Sequence, residues 1–346
     1  MKIIIYSPTS TELYHKAYEK RALGGADYTL LKMCEHLAET ENKVMLYSNI
    51  KEAKVYCNNK KDLESKYIFY CNSNNIKKQE CDILIMYRVT DAIPRNVKFK
   101  KIFFYSQDDI DAPCVEKSGS EYFKIFDKVI VLSKYHRDQF IKRFDIEKEK
   151  MVILGNFIPF ESVIKKYNSL DFIYASTPFR GLVHLAIMWK EIVKILPESK
   201  LHIYSSMKIY DGREEHFSTL YEKMQKLKGV VYHGSVPKAE VMDQMKKSFL
   251  MLYPNTFPET YCNVVNESKM CKLPVITSNL GALPETLGKA GILIDGNPKD
   301  PVYRQKFIKA VIDLVEDPEA YMKLVDECID FRTETDYKKE LMEIIN

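Results

Sequence analysis

Short runs of Ile, Val, Phe and Tyr punctuate the first half of the chain at 2–6, 44–48, 82–87, 102–105, 128–132 and 152–154. They are apolar at consecutive rather than alternate positions, which predicts strands buried on both faces of a parallel sheet. Between them the period lengthens. In 26–39, Leu30, Leu31, Cys34, Leu37 and Ala38 fall on one stripe and predict a helix; 135–144 predicts a shorter one. A second series follows residue 170. Its strands are 171–175, 201–205, 230–233, 249–253, 275–277 and 291–294, and its helices 182–196, 214–226, 238–246 and 261–271. Two or three more helices are expected over 301–346. Strands alternating with helices indicate doubly wound α/β sheets. Residues 157–170 show no clean period and carry Pro159, Lys165-Lys166 and Asn168-Ser169. The pattern therefore predicts an α/β domain over 1–157, a linker at 158–170 and a second α/β domain over 171–346. The last helix is free to pack back on the first domain.

Composition agrees and narrows the function classes. A length of 346 residues suits about two domains. At 46% hydrophobic residues the chain can fill a core, so overall disorder is excluded. With only 12 Gly, each glycine is a candidate for a position where a side chain would obstruct. The net charge is +4, with basic residues interspersed among acids. A nucleic-acid binder shows a clustered basic stripe, so no nucleic-acid partner is expected. Weak attraction to an anionic membrane surface stays open. The eight Cys form no Cys-x-x-Cys pair, which removes the common zinc and redox spacings; they read as buried apolar residues in a reducing compartment. The apolar run in 1–6 is shorter than a signal peptide requires, and no stretch approaches the ~18 apolar residues of a membrane span. The expectation is a soluble, cytoplasmic protein, with peripheral membrane association left open.

Candidate chemistry gathers after strands, where open α/β sheets bind ligands. Gly24-Gly25 opens the first helix, where bare amides and the helix dipole suit a phosphate or a sugar; a plain turn is the alternative. Arg180-Gly181 precedes the helix at 182, a placement suited to a diphosphate. Phe257-Pro258-Glu259-Thr260-Tyr261-Cys262-Asn263 runs on to Glu267 with Glu-x7-Glu spacing. If the helix begins at Tyr261, Glu259 sits at its start and Glu267 about two turns in. Gly281-Ala282-Leu283-Pro284-Glu285 and Gly234 follow further strands. Asp108, Asp109 and Asp111 follow the strand at 102–105, and an Asp-x-Asp pair can hold Mg²⁺ or Mn²⁺. The seven His show no metal-ligand spacing, and neither a Gly-x-Ser-x-Gly elbow nor a P-loop is present.

As an ordered set, these residues resemble retaining family 4 glycosyltransferases. The matching parts are IYASTPFRGL at 173–182, His233-Gly234, the Glu259-to-Glu267 spacing, and Leu273-Pro274-Val275-Ile276 followed by Gly281 and Glu285. The first half agrees more loosely, through Gly24-Gly25 and the strand from Asp127 to Ser133. The resemblance implies the GT-B architecture, two Rossmann-like domains facing a cleft. It implies transfer of a sugar from a nucleotide-diphosphate donor to a glycan or glycoconjugate, with retention, no cofactor and no metal. Carried over, Arg180 would neutralise the donor diphosphate and Glu259 would lie near the donor sugar, making these the catalytic candidates. Glu267 would bind the ribose hydroxyls. Gly24, Gly25, Gly181, Gly234, Thr260, Tyr261, Cys262, Asn263 and the backbone of Gly281, Ala282 and Leu283 complete the donor site. Asp108 and Asp109 are acceptor-side candidates, with Lys16, Lys20, Arg21 and Arg88 as further cations. Two departures stand out. Ala175-Ser176-Thr177-Pro178 lacks the earlier Arg of many members, and Ser106-Gln107-Asp108-Asp109 stands where many carry a His. Two alternatives follow: a non-catalytic glycan- or partner-binding relative, and a metal-dependent transferase using Asp109 and Asp111.

Overall fold

A computed structural model describes residues 1–8, 12–20, 23–40, 42–57, 67–90, 93–116, 119–158, 170–208 and 214–346. The predicted linker and Arg21 therefore lie largely or wholly outside the described residues. The chain forms two compact units, Met1–Asn156 with Glu334–Asn346, and Phe157–Thr333.

The first unit holds an eight-stranded sheet. Its strands are β1 (Lys2–Ser7), β2 (Lys43–Ser48), β3 (Lys54–Cys57), β4 (Tyr67–Asn72), β5 (Gln79–Tyr87), β6 (Val97–Tyr105), β7 (Lys128–Val131) and β8 (Met151–Ile153). They are ordered β3-β4-β2-β1-β5-β6-β7-β8. Ile3, Ile4 and Ile5 at its centre are fully buried and lie in register with Val44–Leu46 and Ile83–Ile85. Continuous apolar runs are what such a two-sided burial demands. The sequence reading did not anticipate β3 and β4. Strand β3 is antiparallel and carries the exposed Val55 at the sheet edge, so burial on two faces leaves no trace there. The helix Gly25–Glu39 packs its Leu30, Leu31, Cys34 and Leu37 into the unit. The final helix, Glu334–Ile345, belongs to the same unit. Its Glu334 Oε1 lies 2.9 Å from Lys32 Nζ and 3.2 Å from His36 Nε2, both on the Gly25–Glu39 helix.

The second unit is a six-stranded parallel sheet of β9 (Asp171–Ala175), β10 (Lys200–Tyr204), β11 (Val230–Tyr232), β12 (Leu250–Tyr253), β13 (Val275–Ser278) and β14 (Gly291–Ile294). Their order is β11-β10-β9-β12-β13-β14. Counted within the unit this is 3-2-1-4-5-6, the dinucleotide-binding order, and it reverses between β9 and β12. The single Trp, Trp189 on the helix Leu182–Ile195, is fully buried. Its indole N–H donates to Lys228 O at 2.9 Å and its ring meets Phe172 edge-on. The helix expected from Glu214 begins as a tight 3₁₀ turn over Glu214–Phe217 and becomes α-helical at Ser218–Gln225. Each unit is thus a Rossmann-like α/β layer structure. No described helix is long and apolar enough to cross a membrane.

Candidate active site

The reversal of strand order puts the loops after β9 and β12 side by side. The loop after β9 turns through Pro178–Arg180 into Gly181, which has φ 111° and caps the helix Leu182–Ile195. A Cβ on Gly181 would stand 2.0 Å from Pro254 O, so the scarce glycine lets the two loops touch. The loop after β12 is braced from within. Asn255 Oδ1 accepts the Phe257 amide at 3.0 Å, and Ser278 Oγ donates to Asn255 O at 2.6 Å.

Across this junction Arg180 Nη1 lies 3.1 Å from Glu259 Oε1. The Glu259 side chain is 6% exposed and that of Arg180 22%, so the pair is largely withdrawn from water and its attraction only weakly screened. The Tyr253 hydroxyl donates to the same Glu259 oxygen at 2.5 Å. Burial and the nearby Glu259 push the Tyr253 phenol well above its ordinary range, so it remains a donor. The guanidinium carbon of Arg180 lies 5.6 Å from the Phe179 ring centre and 4.9 Å from that of Phe257, within cation–π reach of both.

Glu259 is not at a helix start, as the spacing had suggested. The helix runs over Asn263–Met270, and Cys262 before it takes φ 68°. A left-handed non-glycine residue is strained, and such strain concentrates at ligand sites. Thr260 and Cys262 are buried, Tyr261 is half-buried, and Asn263 opens the helix. Glu267 lies on this helix with its side chain 6% exposed, and Lys238 Nζ pairs with its Oε1.

Gly281, at φ 62°, packs against the Glu259 backbone; a Cβ there would come within 2.7 Å of Glu259 N and O. The Ala282 amide donates to Glu259 O at 2.7 Å and the Leu283 amide to Leu280 O at 3.2 Å. Both amides bond within the protein, and this loop positions Glu259. Gly234 (φ 70°) follows β11, and a Cβ there would meet only the Tyr232 ring, at 3.8 Å. Sequence reasoning missed Tyr253, Phe179, Phe257 and Lys238. A tyrosine closing an otherwise aliphatic strand and a lysine opening a helix were the available signals.

In the first unit, Gly24 caps the Gly25–Glu39 helix in extended conformation, φ −62°, with no side-chain cap. The helix start is tied down by the Tyr87 hydroxyl, which donates to Ala26 O at 2.7 Å. Asp108 is held within the unit by Arg88. Arg88, at φ 59°, binds both its carboxylate oxygens at 2.7 Å and approaches Asp27 Oδ1 at 3.8 Å. Fully buried His136 accepts the Leu132 amide at Nδ1 (3.2 Å), so its Nε2 carries the proton and donates to Asp108 O at 2.9 Å. Asp109 Oδ1 accepts the Asp111 amide at 3.1 Å. Burial pushes the Asp109 carboxyl upward. Among the described residues, no group of three or more His, Cys, Asp or Glu is placed to hold a metal ion.

A family model described as Glycosyl transferases group 1 matches residues 172–317. A search of curated protein sequences finds no match. Among solved structures, sucrose-phosphate synthase (tll1590) from Thermosynechococcus elongatus superposes with a TM-score of 0.69 at 13% identity, covering 99% of this chain and 98% of that one. Anabaena Alr3699/HepE, solved with UDP-glucose, gives 0.68 at 12% identity over 100% and 99%. TarM gives 0.58 at 17% identity; the match covers 80% of this chain but only 59% of TarM. At these identities the likeness establishes the fold. The chain has the GT-B fold of these glycosyltransferases, and its residues 172–317 match the Glycosyl transferases group 1 family.

Proposed function

We propose that the protein is a glycosyltransferase that moves a sugar from a nucleotide-diphosphate donor to a glycan or glycoconjugate, with retention at the anomeric carbon. The observation that carries the reading is the Arg180–Glu259 pair at the point where the second sheet reverses its strand order, inside the matched segment. Such switch points are where open α/β sheets bind nucleotides.

Cleaving the bond between the anomeric carbon and the diphosphate leaves positive charge on the sugar and negative charge on the departing group. In this reading Arg180 meets the diphosphate and stabilises that negative charge, a lever of roughly 100-fold or more in rate. Phe179 and Phe257 keep the guanidinium in place. Glu259, held by Tyr253 and the Gly281 turn, exchanges part of its bond with Arg180 for hydroxyls of the donor sugar. Glu267 accepts hydrogen bonds from the ribose. Arg180 supplies the cation, so the reaction is proposed to need no metal. The Gly24-Gly25 helix start is proposed to meet the donor, and Asp109 to lie on the acceptor side.

A panel of nucleoside diphosphates and their sugars, UDP-glucose first, tests this by melting temperature, since a ligand of the folded state raises it. The expected result is a shift with one donor and slow release of its diphosphate, unchanged by EDTA. Binding without hydrolysis or transfer would make the protein a non-catalytic relative. No binding at millimolar concentration would sink the reading, and EDTA-sensitive turnover would favour Asp109 and Asp111 as metal ligands.

A further inference from the structure

We infer that Lys238 is a donor-specificity residue whose ammonium group, together with the Glu267 carboxylate, reads the ribose hydroxyls of the bound nucleotide. The inference rests on the donor-site reading above and adds to it a residue that the motifs do not contain.

Glu267 is nearly buried, and a buried carboxylate needs a partner. Lys238 provides it, with its own side chain still 33% exposed. Two features separate this pair from an ordinary salt bridge. Lys238 is the first residue of the helix Lys238–Lys247, directly after Pro237. A cation there faces the positive end of the helix dipole, so helix energetics alone disfavours lysine at that position. The chain also reaches Lys238 through the loop that leaves β11 past Gly234. In a parallel sheet that loop emerges at the same end as those carrying Arg180 and Glu259. The helix is fixed against its neighbour, with Met242 and Met245 in the core and Cys271 Sγ 3.9 Å from Met242 O.

The chemistry of the pair matches a hydroxyl group. An ionised carboxylate only accepts hydrogen bonds and an ammonium only donates them, whereas a hydroxyl does both. A ribose hydroxyl can donate to Glu267 and accept from Lys238 at once. Without it, Glu267 and Lys238 pair only with each other and the bonds to the ligand hydroxyl are lost, a loss by which a site built around a hydroxyl discriminates.

The test is calorimetric titration of the wild type, Lys238→Met and Lys238→Gln. The ligands are the nucleoside diphosphate that binds in the panel and its 2′,3′-dideoxy analogue, with melting curves to confirm folding. The wild type is expected to prefer the ribonucleotide by at least tenfold. Each variant is expected to lose about tenfold for the ribonucleotide and little for the dideoxy analogue, so that the preference collapses. A wild-type preference near unity overturns the inference whether or not a variant folds. So does a variant that binds both ligands as the wild type does, or that loses both in the same ratio, which would make Lys238 a neutralising or phosphate-binding cation. If the wild type binds no nucleoside diphosphate, the donor-site reading itself fails.

Discussion

Arg180 Nη1 stands 3.1 Å from Glu259 Oε1, joining the loop after β9 to the loop after β12. Each charge compensates the other in a setting where an unpaired one is costly. Replacing Arg180 with Ala should lower turnover by roughly 100-fold and abolish the donor-induced rise in melting temperature. Arg180→Lys keeps the charge but not the flat guanidinium beside Phe179 and Phe257, and should fall between the wild type and Arg180→Ala. Steady-state kinetics with the donor identified by the panel would check both; full activity in Arg180→Ala would remove Arg180 from the chemistry.

The glycines should not respond alike. A Cβ at Gly181 would collide with Pro254 O at a φ of 111°, so Gly181→Ala should cost roughly 3 kcal/mol or more. At Gly234 there is room, and only the φ of 70° is unfavourable; Gly234→Ala should cost about 1 kcal/mol. Chemical denaturation ranks the two, and equal losses would contradict the packing described.

These positions show what was legible in the sequence. The apolar runs marked every strand but β3 and β4, because burial on two faces leaves an uninterrupted signature, as Ile3-Ile4-Ile5 does, whereas the inner strand β4 buries only alternate residues, Ile68 and Tyr70. The edge strand β3 left none. Arg180, Glu259 and Glu267 were visible through spacing and position after strands. Their partners were not. Tyr253 looks like any strand residue, and Lys238 like any surface lysine, until the strand order brings their neighbours to them. The partner of Asp108 was hidden for a related reason: Arg88 lies 20 residues earlier, and only the pairing of β5 with β6 brings them together. Local pattern predicts elements, whereas pairs of distant residues follow from topology.

Arg88 and Asp108 should behave as a structural pair. Arg88→Met leaves a partly buried carboxylate without its bidentate partner and should destabilise the protein by about 2 kcal/mol, less than for a fully buried pair. The double variant with Asp108→Asn should recover part of that loss. Denaturation of all four proteins measures the coupling, and strict additivity would show that the pair contributes nothing.

Acid should weaken the fold in a window set by His136. Burial pushes its imidazole down to about 4, against the bond it makes to Asp108. Below the ordinary value near 6.5 the unfolded chain takes up a proton that the folded one refuses. Stability therefore falls as the pH drops from about 6.5 towards 4, by up to roughly 3 kcal/mol. Glu334 acts in a lower window. Burial alone would raise its carboxyl, but His36 and Lys32 bring it down to about 2, so its contribution is lost only below the ordinary carboxylate range near 4.5. Urea titrations of the wild type and His136→Gln from pH 7 to 4 should give a shallower slope for the variant. Identical slopes would show that His136 does not set the window.

Whether Arg180 binds the donor diphosphate is tested by calorimetric titration of a nucleoside diphosphate, UDP first, into the wild type and into Arg180→Gln. Saturable one-to-one binding to the wild type and a loss of at least tenfold in the variant are expected, at a temperature where melting curves show both free proteins folded. Equal affinity in the two proteins, or no binding of any nucleoside diphosphate to the wild type, would contradict that role.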